Sequence, residues 1–163
     1  MKQVKVVSML DFLNITKDNV HLYCRFDQLF KEDLSNFLSS IYPEKSDFFV
    51  VLIEKKLLSW SYLFHDGKII GSIWLQREQA TLPVATLGIF ISEKELRSQG
   101  IGEQAIKEFL AVNRKEMKLK EVNIEVRKDN IRAIKCFEKC DFKTESEYVN
   151  MEGFDVINMI KSL

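Results

Sequence analysis

Arg97-Ser-Gln-Gly100-Ile-Gly102 stands between an apolar run and an amphipathic one. Upstream, Leu87-Gly-Ile-Phe-Ile91 is apolar and β-favouring, the composition of a strand buried on both faces. Downstream, Ile101, Ala105, Ile106, Phe109, Leu110 and Val112 recur at helical spacing. A strand, a glycine turn and a helix start together present free backbone N–H groups. The first turn of a helix has donors without intrahelical partners and carries roughly half a positive charge. Glycines at 100 and 102 remove side chains that would hold an anion off, and Arg97 adds a permanent cation with a forked donor face. The chemistry this suits is phosphate binding. A dinucleotide-binding turn is the competing reading, and it calls for G-x-G-x-x-G with an acidic residue about 20 positions on. Here Ala105 stands at the third glycine's place, and 120–126 offers no clear ribose-binding carboxylate.

A second pattern follows, Asn130-x-x-Ala133-x-x-x-Phe137-x-x-x-x-Phe142. With Arg-x-x-Gly-x-Gly after an apolar strand, it resembles the GNAT superfamily of acyl-CoA N-acyltransferases. Ile124-Glu-Val126, Asn130–Ile134, Phe137-Glu-Lys139, Gly153-Phe-Asp-Val156 and Met159 look most like the branch acting on ribosomal-protein N-termini and on polyamines. The resemblance covers about residues 60 to 163. It implies an α/β fold: a mixed, mostly antiparallel central sheet flanked by helices and splayed at the central strand. It also implies acetyl-CoA as donor, direct attack by a primary amine in a ternary complex, and no metal. The acceptor would be a small-molecule amine or a peptide or protein N-terminus, and a homodimer is left open.

On this resemblance the diphosphate sits on the N–H groups of Gln99, Gly100, Ile101, Gly102 and Glu103, beside Ser98, with Arg97 neutralising it. The pantetheine arm pairs like a short strand with the backbone of Ile89, Phe90 and Ile91. A backbone N–H there would polarise the thioester carbonyl. Asn130 matches the family position whose side chain contacts the arm, and Asp129-Asn130 also reads as a helix cap. Phe137 stands where the family usually has a Tyr credited with protonating the departing thiolate. Phe keeps the packing and loses the donor. A positioned acid is worth ~10²–10⁴ in rate, yet an alkyl thiol near pKa ~8.5 already leaves fairly well at neutral pH.

Thr86 stands where many relatives carry a Glu just before the central Leu-Gly-x-x-Ile run, so the base is not assigned. Glu78, Tyr148 and His65 are weak candidates, each with an ordinary alternative as a loop edge or strand residue. Water held by carbonyls of the central strand is another. Cys24, Cys136 and Cys140 have no His at readable spacing, which argues against a covalent acyl-enzyme.

The chain of 163 residues suits one domain over 1–163. Its 24 basic and 24 acidic residues balance, which argues against nucleic acid or an anionic membrane as partner. No apolar run reaches the length of a membrane span, and the start lacks a signal-peptide stretch. The odd cysteine count without ligand spacing suits a reduced, cytoplasmic protein with half-buried thiols.

Along the chain, Lys2–Ser8 alternates as an opening strand. Thr16–Asn19 holds capping residues, and a ragged helical stripe followed by a cleaner one, one broken helix or two short ones, runs on to Pro43. Ser46–Leu58 reads as a helix from its capping pair and charged run. Trp60–Phe64 and Ile69–Gln76 form a hairpin around Asp66-Gly67. A loop over 79–83 leads to the central strand, 84–91. A helix from Gly102 ends near Met117. Glu121–Arg127 is a strand and Asn130–Lys139 a short helix. Phe142–Asn150 and Phe154–Ile160 are the closing strands. Before them stands Cys140-Asp141, where the resembled family commonly has Gly at the second place, so either a non-glycine residue ends the helix or the end moves by one.

Overall fold

The computed structural model describes residues 10–16, 18 and 51–163. The strand expected at Lys2–Ser8 and the helical stripes expected up to Pro43 lie outside the described residues. β1 is Leu10–Asn14, β2 Leu58–His65, β3 Lys68–Gln76 and β4 Val84–Ile91; a 3₁₀ turn, Lys94–Leu96, leads into α1, Ile101–Glu116. Then come β5 (Glu121–Arg127), α2 (Ile131–Lys139), β6 (Lys143–Val149) and β7 (Asp155–Ser162). The strands form one sheet in the order β1-β2-β3-β4-β5-β7-β6. All neighbours are antiparallel except β4 and β5.

The helix expected over Ser46–Leu58 is corrected where it is described. Residues 51–54 are helical, Lys56 reverses the chain at φ 59, and Leu58 already pairs with Gln76 in β2. The apolar run Leu57–Leu58 adds a register position to the hairpin, and sheet pairing overrides the local capping signal. The hairpin itself turns through Asp66 (φ 50) and Gly67 (φ 77), both left-handed as a primed two-residue turn demands. Phe142, expected in a closing strand, instead follows α2 as a buried plug at 2% exposure.

The helices α1 and α2 end in the same way. Asp141 takes φ 67; its N–H reaches Glu138 O at 3.0 Å and the Phe142 N–H reaches Phe137 O at 3.0 Å. In α1 Lys118 takes φ 52, with Lys118 N to Lys115 O at 3.3 Å and Leu119 N to Arg114 O at 3.0 Å. These are Schellman closures with an Asp and a Lys in the place usually given to Gly. The Cys140-Asp141 problem is therefore met by a non-glycine residue at positive φ.

The sheet has a core on each face. One packs Leu63, Ile73, Leu75, Leu87, Val122, Ile124 and Met159 against Ile106, Phe109 and Leu110 of α1 and Phe137 of α2. The other gathers Ile15, Leu58, Trp60, Tyr62 and Trp74, with Phe90 packed on it. Alternation along the strands assigns Ala85, Leu87, Val122 and Ile124 to the helical face. It turns Thr86, Gly88, Asn123 and Glu125 to the opposite one. A Cβ on Gly88 would lie 2.1 Å from the Trp74 ring carbons Cε2 and Cζ2, so the indole occupies the space above β4.

Candidate active site

β4 and β5 pair only at Val84↔Glu121, Ala85↔Val122 and Thr86↔Asn123. Beyond that point β4 continues to Ile91 against β3, and β5 continues to Arg127 against β7. The two strands thus part company, and the sheet opens as a fork. The parting is marked by Thr86 Oγ1 donating to Asn123 Oδ1 at 2.8 Å.

The open end leads to the glycine turn. Ser98 (φ 61) and Gly100 (φ 83) are left-handed, and Gly100 is the N-cap of α1 without a side-chain cap. Gln104 N donates to Gly100 O at 3.0 Å, which leaves the amides of 101–103 ahead of the helical ladder. The Arg97 guanidinium folds back, donating from Nε at 3.0 Å and Nη2 at 2.8 Å to Ile91 O, so it ties the turn to the end of β4.

Between this turn and α2 lies a cleft of about 490 Å³. Ile89, Phe90, Ile91, Arg97, Ser98, Gly100, Gly102, Glu103, Asn130 and Phe137 all line it. Gln99 and Ile101 do not: the Gln99 side-chain amide donates to Glu95 O, and Ile101 is buried in the core. They can contribute backbone only. Asn130 caps α2, its Oδ1 accepting from Ala133 N at 3.3 Å. Phe137 is 5% exposed and meets Phe142 edge-on at 6.1 Å between centroids.

The cleft is electropositive. Among the described residues, Arg97, Arg132, Lys135 and Lys139 line it against one carboxylate, Glu103. That carboxylate is bonded to Lys107 Nζ at 2.7 Å, and this bond, against desolvation and with the charges of Lys107 and Lys139, holds its pKa below the usual range. Arg132, Lys135 and Lys139 escaped the sequence reading, although their i, i+3, i+7 spacing puts them on one face of a helix. Amides ahead of the helical ladder, glycines at 100 and 102 and a surplus of cations fit the phosphates of a coenzyme A. A cleft running on along Ile89 to Ile91 fits its pantetheine arm.

Of the residues considered for acid–base work, His65 and Glu78 do not line the cleft. His65 sits at the hairpin tip with Nδ1 3.4 Å from Asp66 Oδ2, and Glu78 is exposed after β3. Tyr148 donates its hydroxyl to Glu125 Oε2, and Asn150 Nδ2 donates to Glu125 Oε1 at 3.4 Å. Partial burial, then the bond to Glu125, pushes the Tyr148 pKa up to about 12, so at neutral pH it is a donor and not a base. Glu125 itself was missed. It lies two residues past the last β4–β5 pair, level with Gly88 at the start of the fork, on the face away from the helices. A carboxylate on a strand otherwise alternating with Val122, Ile124 and Val126 is the signal that was available.

A strand fork with a glycine turn at its mouth is the arrangement expected of an acyl-CoA-binding enzyme. The sequence agrees, since residues 17–142 match the model of the acetyltransferase (GNAT) family. The chain belongs to that family: it is an acyl-CoA-dependent N-acetyltransferase with acetyl-CoA as acyl donor. Among solved structures, ribosomal-protein-S5-alanine acetyltransferase from Vibrio fischeri superposes with a TM-score of 0.79 at 15% identity, covering 96% of each chain. Spermidine N-acetyltransferase from Vibrio cholerae, in complex with CoA and spermine, gives 0.76 at 18% identity, covering 94% of this chain and 95% of that one. Aminoglycoside acetyltransferase AAC(6')-Ib with coenzyme A gives 0.72 at 11% identity, covering 94% of each. At such identities the likeness is one of fold, and it agrees with the mixed, splayed sheet expected from the sequence. No curated protein sequence matches the chain.

Proposed function

We propose that this chain, as a single domain over 1–163, moves an acetyl group from acetyl-CoA to a primary amine by direct attack in a ternary complex. The observation that carries the reading is the fork. Its helical face opens on the electropositive cleft, and Glu125, held by Tyr148 and Asn150, stands at its start on the other face. Donor and acceptor would approach through the gap from opposite sides. Glu125 takes a proton from the bound ammonium, the freed lone pair attacks the thioester carbon, and the C–S pair leaves on sulfur, which takes up the second N–H proton as the amide forms. An alkyl amine of pKa ~10.4 is neutral about once in ~2,500 molecules at pH 7. A carboxylate at the fork therefore widens the acceptors within reach beyond α-amino groups. Phe137 supplies no proton, so departure relies on the acidity of the thiol itself.

Coenzyme A has two separate anionic groups, and the cleft offers two matching regions. The α1 amides suit the diphosphate, and Lys135 and Lys139 on α2 suit the 3′-phosphate. The free thiols Cys136 and Cys140 support a cytoplasmic location. Incubating the purified chain with acetyl-CoA and spermidine, an aminoglycoside or a peptide bearing a free α-amino group tests the reading. Release of CoA thiol matched by a product heavier by one acetyl group is the expected result. The second reading, a CoA-binding domain without turnover, is favoured only by the hydroxyl missing at Phe137. Tight CoA retention with no thiol release across the panel would select it.

A further inference from the structure

Cys136 and Cys140, one turn apart on α2, take no part in the proposed transfer. Cys140 is fully buried, whereas Cys136 is half-buried and lines the cleft. A Cβ on Gly102 would come 3.3 Å from Cys136 Sγ, so the thiol lies against the first turn of α1. Unpaired amides and the helix dipole favour an anion there, as they do for reactive thiols at other helix starts. Arg132 and Lys139 flank Cys136 one turn before and one turn after it, and both line the same cleft. Its pairing with Cys140, against burial and the Glu103 carboxylate and with help from Lys139 and Arg132, holds the Cys136 pKa below its ordinary value. The Cys140 thiol, buried beneath the cleft, donates to Glu103 O at 3.8 Å, and its pairing with Cys136 and burial push its pKa the other way.

We propose that Cys136 is a modification site for small anionic disulfides, and that the mixed disulfide formed there closes the cleft to acyl-CoA. The Cys136 thiolate attacks one sulfur of R–S–S–R. The Cys136–S–S–R bond forms as the old S–S bond breaks, and R–S⁻ leaves with the electron pair. One disulfide is exchanged for another, and excess reductant reverses it. The cations of the cleft attract an anionic R group, and once attached it occupies the space beside Gly102 that a diphosphate would need. The closure rests on the proposed cofactor site; the reactivity of the thiol does not.

The test treats the native full-length chain with 5,5′-dithiobis(2-nitrobenzoate), following thionitrobenzoate release and locating the adducts by peptide mass mapping, since Cys24 also carries a thiol. Cys136 should react at least tenfold faster than Cys140, and saturating CoA should slow it at least tenfold. The modified protein should lose at least tenfold in CoA affinity and regain it with dithiothreitol. In Cys136→Ala the affinity should no longer respond to the reagent. Labelling of Cys136 no faster than that of Cys140 overturns the proposal, as does rapid labelling that leaves CoA affinity unchanged. If the untreated chain binds no CoA, the reading of the cleft fails, while the rate ratio of the two cysteines still decides whether the site exists.

Discussion

Glu125, Tyr148 and Asn150 are polar neighbours drawn from β5, β6 and the turn after it, and their grouping assigns distinct roles to each. Glu125→Gln keeps the shape and both neighbours within reach but removes the proton acceptor. We expect kcat to fall by roughly 10²–10³ while the CoA dissociation constant stays within twofold; stopped thiol release and calorimetry would separate the two. Tyr148→Phe should cost turnover far less, since the carboxylate remains. Its signature is spectroscopic. The raised tyrosine pKa means that the folded chain holds this proton after the unfolded chain has lost it. The resulting stabilisation is complete below pH ~10, the ordinary tyrosine value, and is lost as pH climbs through about 12. Absorbance at 295 nm should therefore show a late ionisation step in the parent chain that is missing from Tyr148→Phe. Sequence spacing could not give this trio, because Glu125 and Tyr148 meet only through the pairing of β5 with β7 and of β7 with β6. The sequence offers Tyr148 only as one of three weak base candidates, and the carboxylate it bonds to, Glu125, is not among them.

At the scale of the elements, the glycine turn and α2 act as two walls of one cleft. Gly100 holds φ 83, and a Cβ there meets nothing within 4 Å, so a side chain can be added without a clash. Gly100→Val should pay only the left-handed strain of about 1–2 kcal/mol and stay folded by circular dichroism. CoA affinity should drop by roughly a hundredfold, the value of about two lost charge-assisted hydrogen bonds; an unchanged dissociation constant would remove the turn from the site. The opposite wall is read by comparing CoA with its 3′-dephospho form. The parent chain should prefer CoA by roughly tenfold, about one 1.4 kcal/mol increment. Lys135→Ala with Lys139→Ala should bring that ratio close to one and flatten its salt dependence. The turn was legible because glycine spacing after an apolar strand is a local signal. The cationic wall was not, because a lysine on a short helix is ordinary until the fold shows which face looks into a cavity.

Across the whole molecule, the C-terminal two thirds of the fold could be read from periodicity and turn residues, strand β5 to the residue. The fork could be foreseen only through resemblance, since nothing in the composition of β4 or β5 says that their pairing stops at Thr86 and Asn123. A second long-range device was invisible altogether. Arg77 is 7% exposed and donates from Nε to Lys56 O at 3.1 Å, and from Nη1 to Leu82 O at 3.0 Å and Met117 O at 2.7 Å. It thereby joins the approach to β2, the loop before β4 and the C-terminus of α1. Burial lowers its pKa, yet an arginine keeps its charge at any working pH, and the carbonyl end of α1 is a favourable place for a cation. This staple fastens the closed end of the β4–β5 pair, from which the two strands diverge. Arg77→Met fills similar volume but leaves three carbonyls without that donor. The expected cost is about 3 kcal/mol, a fall in Tm of roughly 10 °C for a chain of this size. Arg77→Lys, which keeps the charge and loses the fork of donors, should recover about half. If both variants melt with the parent chain, the three contacts are incidental to stability and the sheet alone holds the fork's closed end.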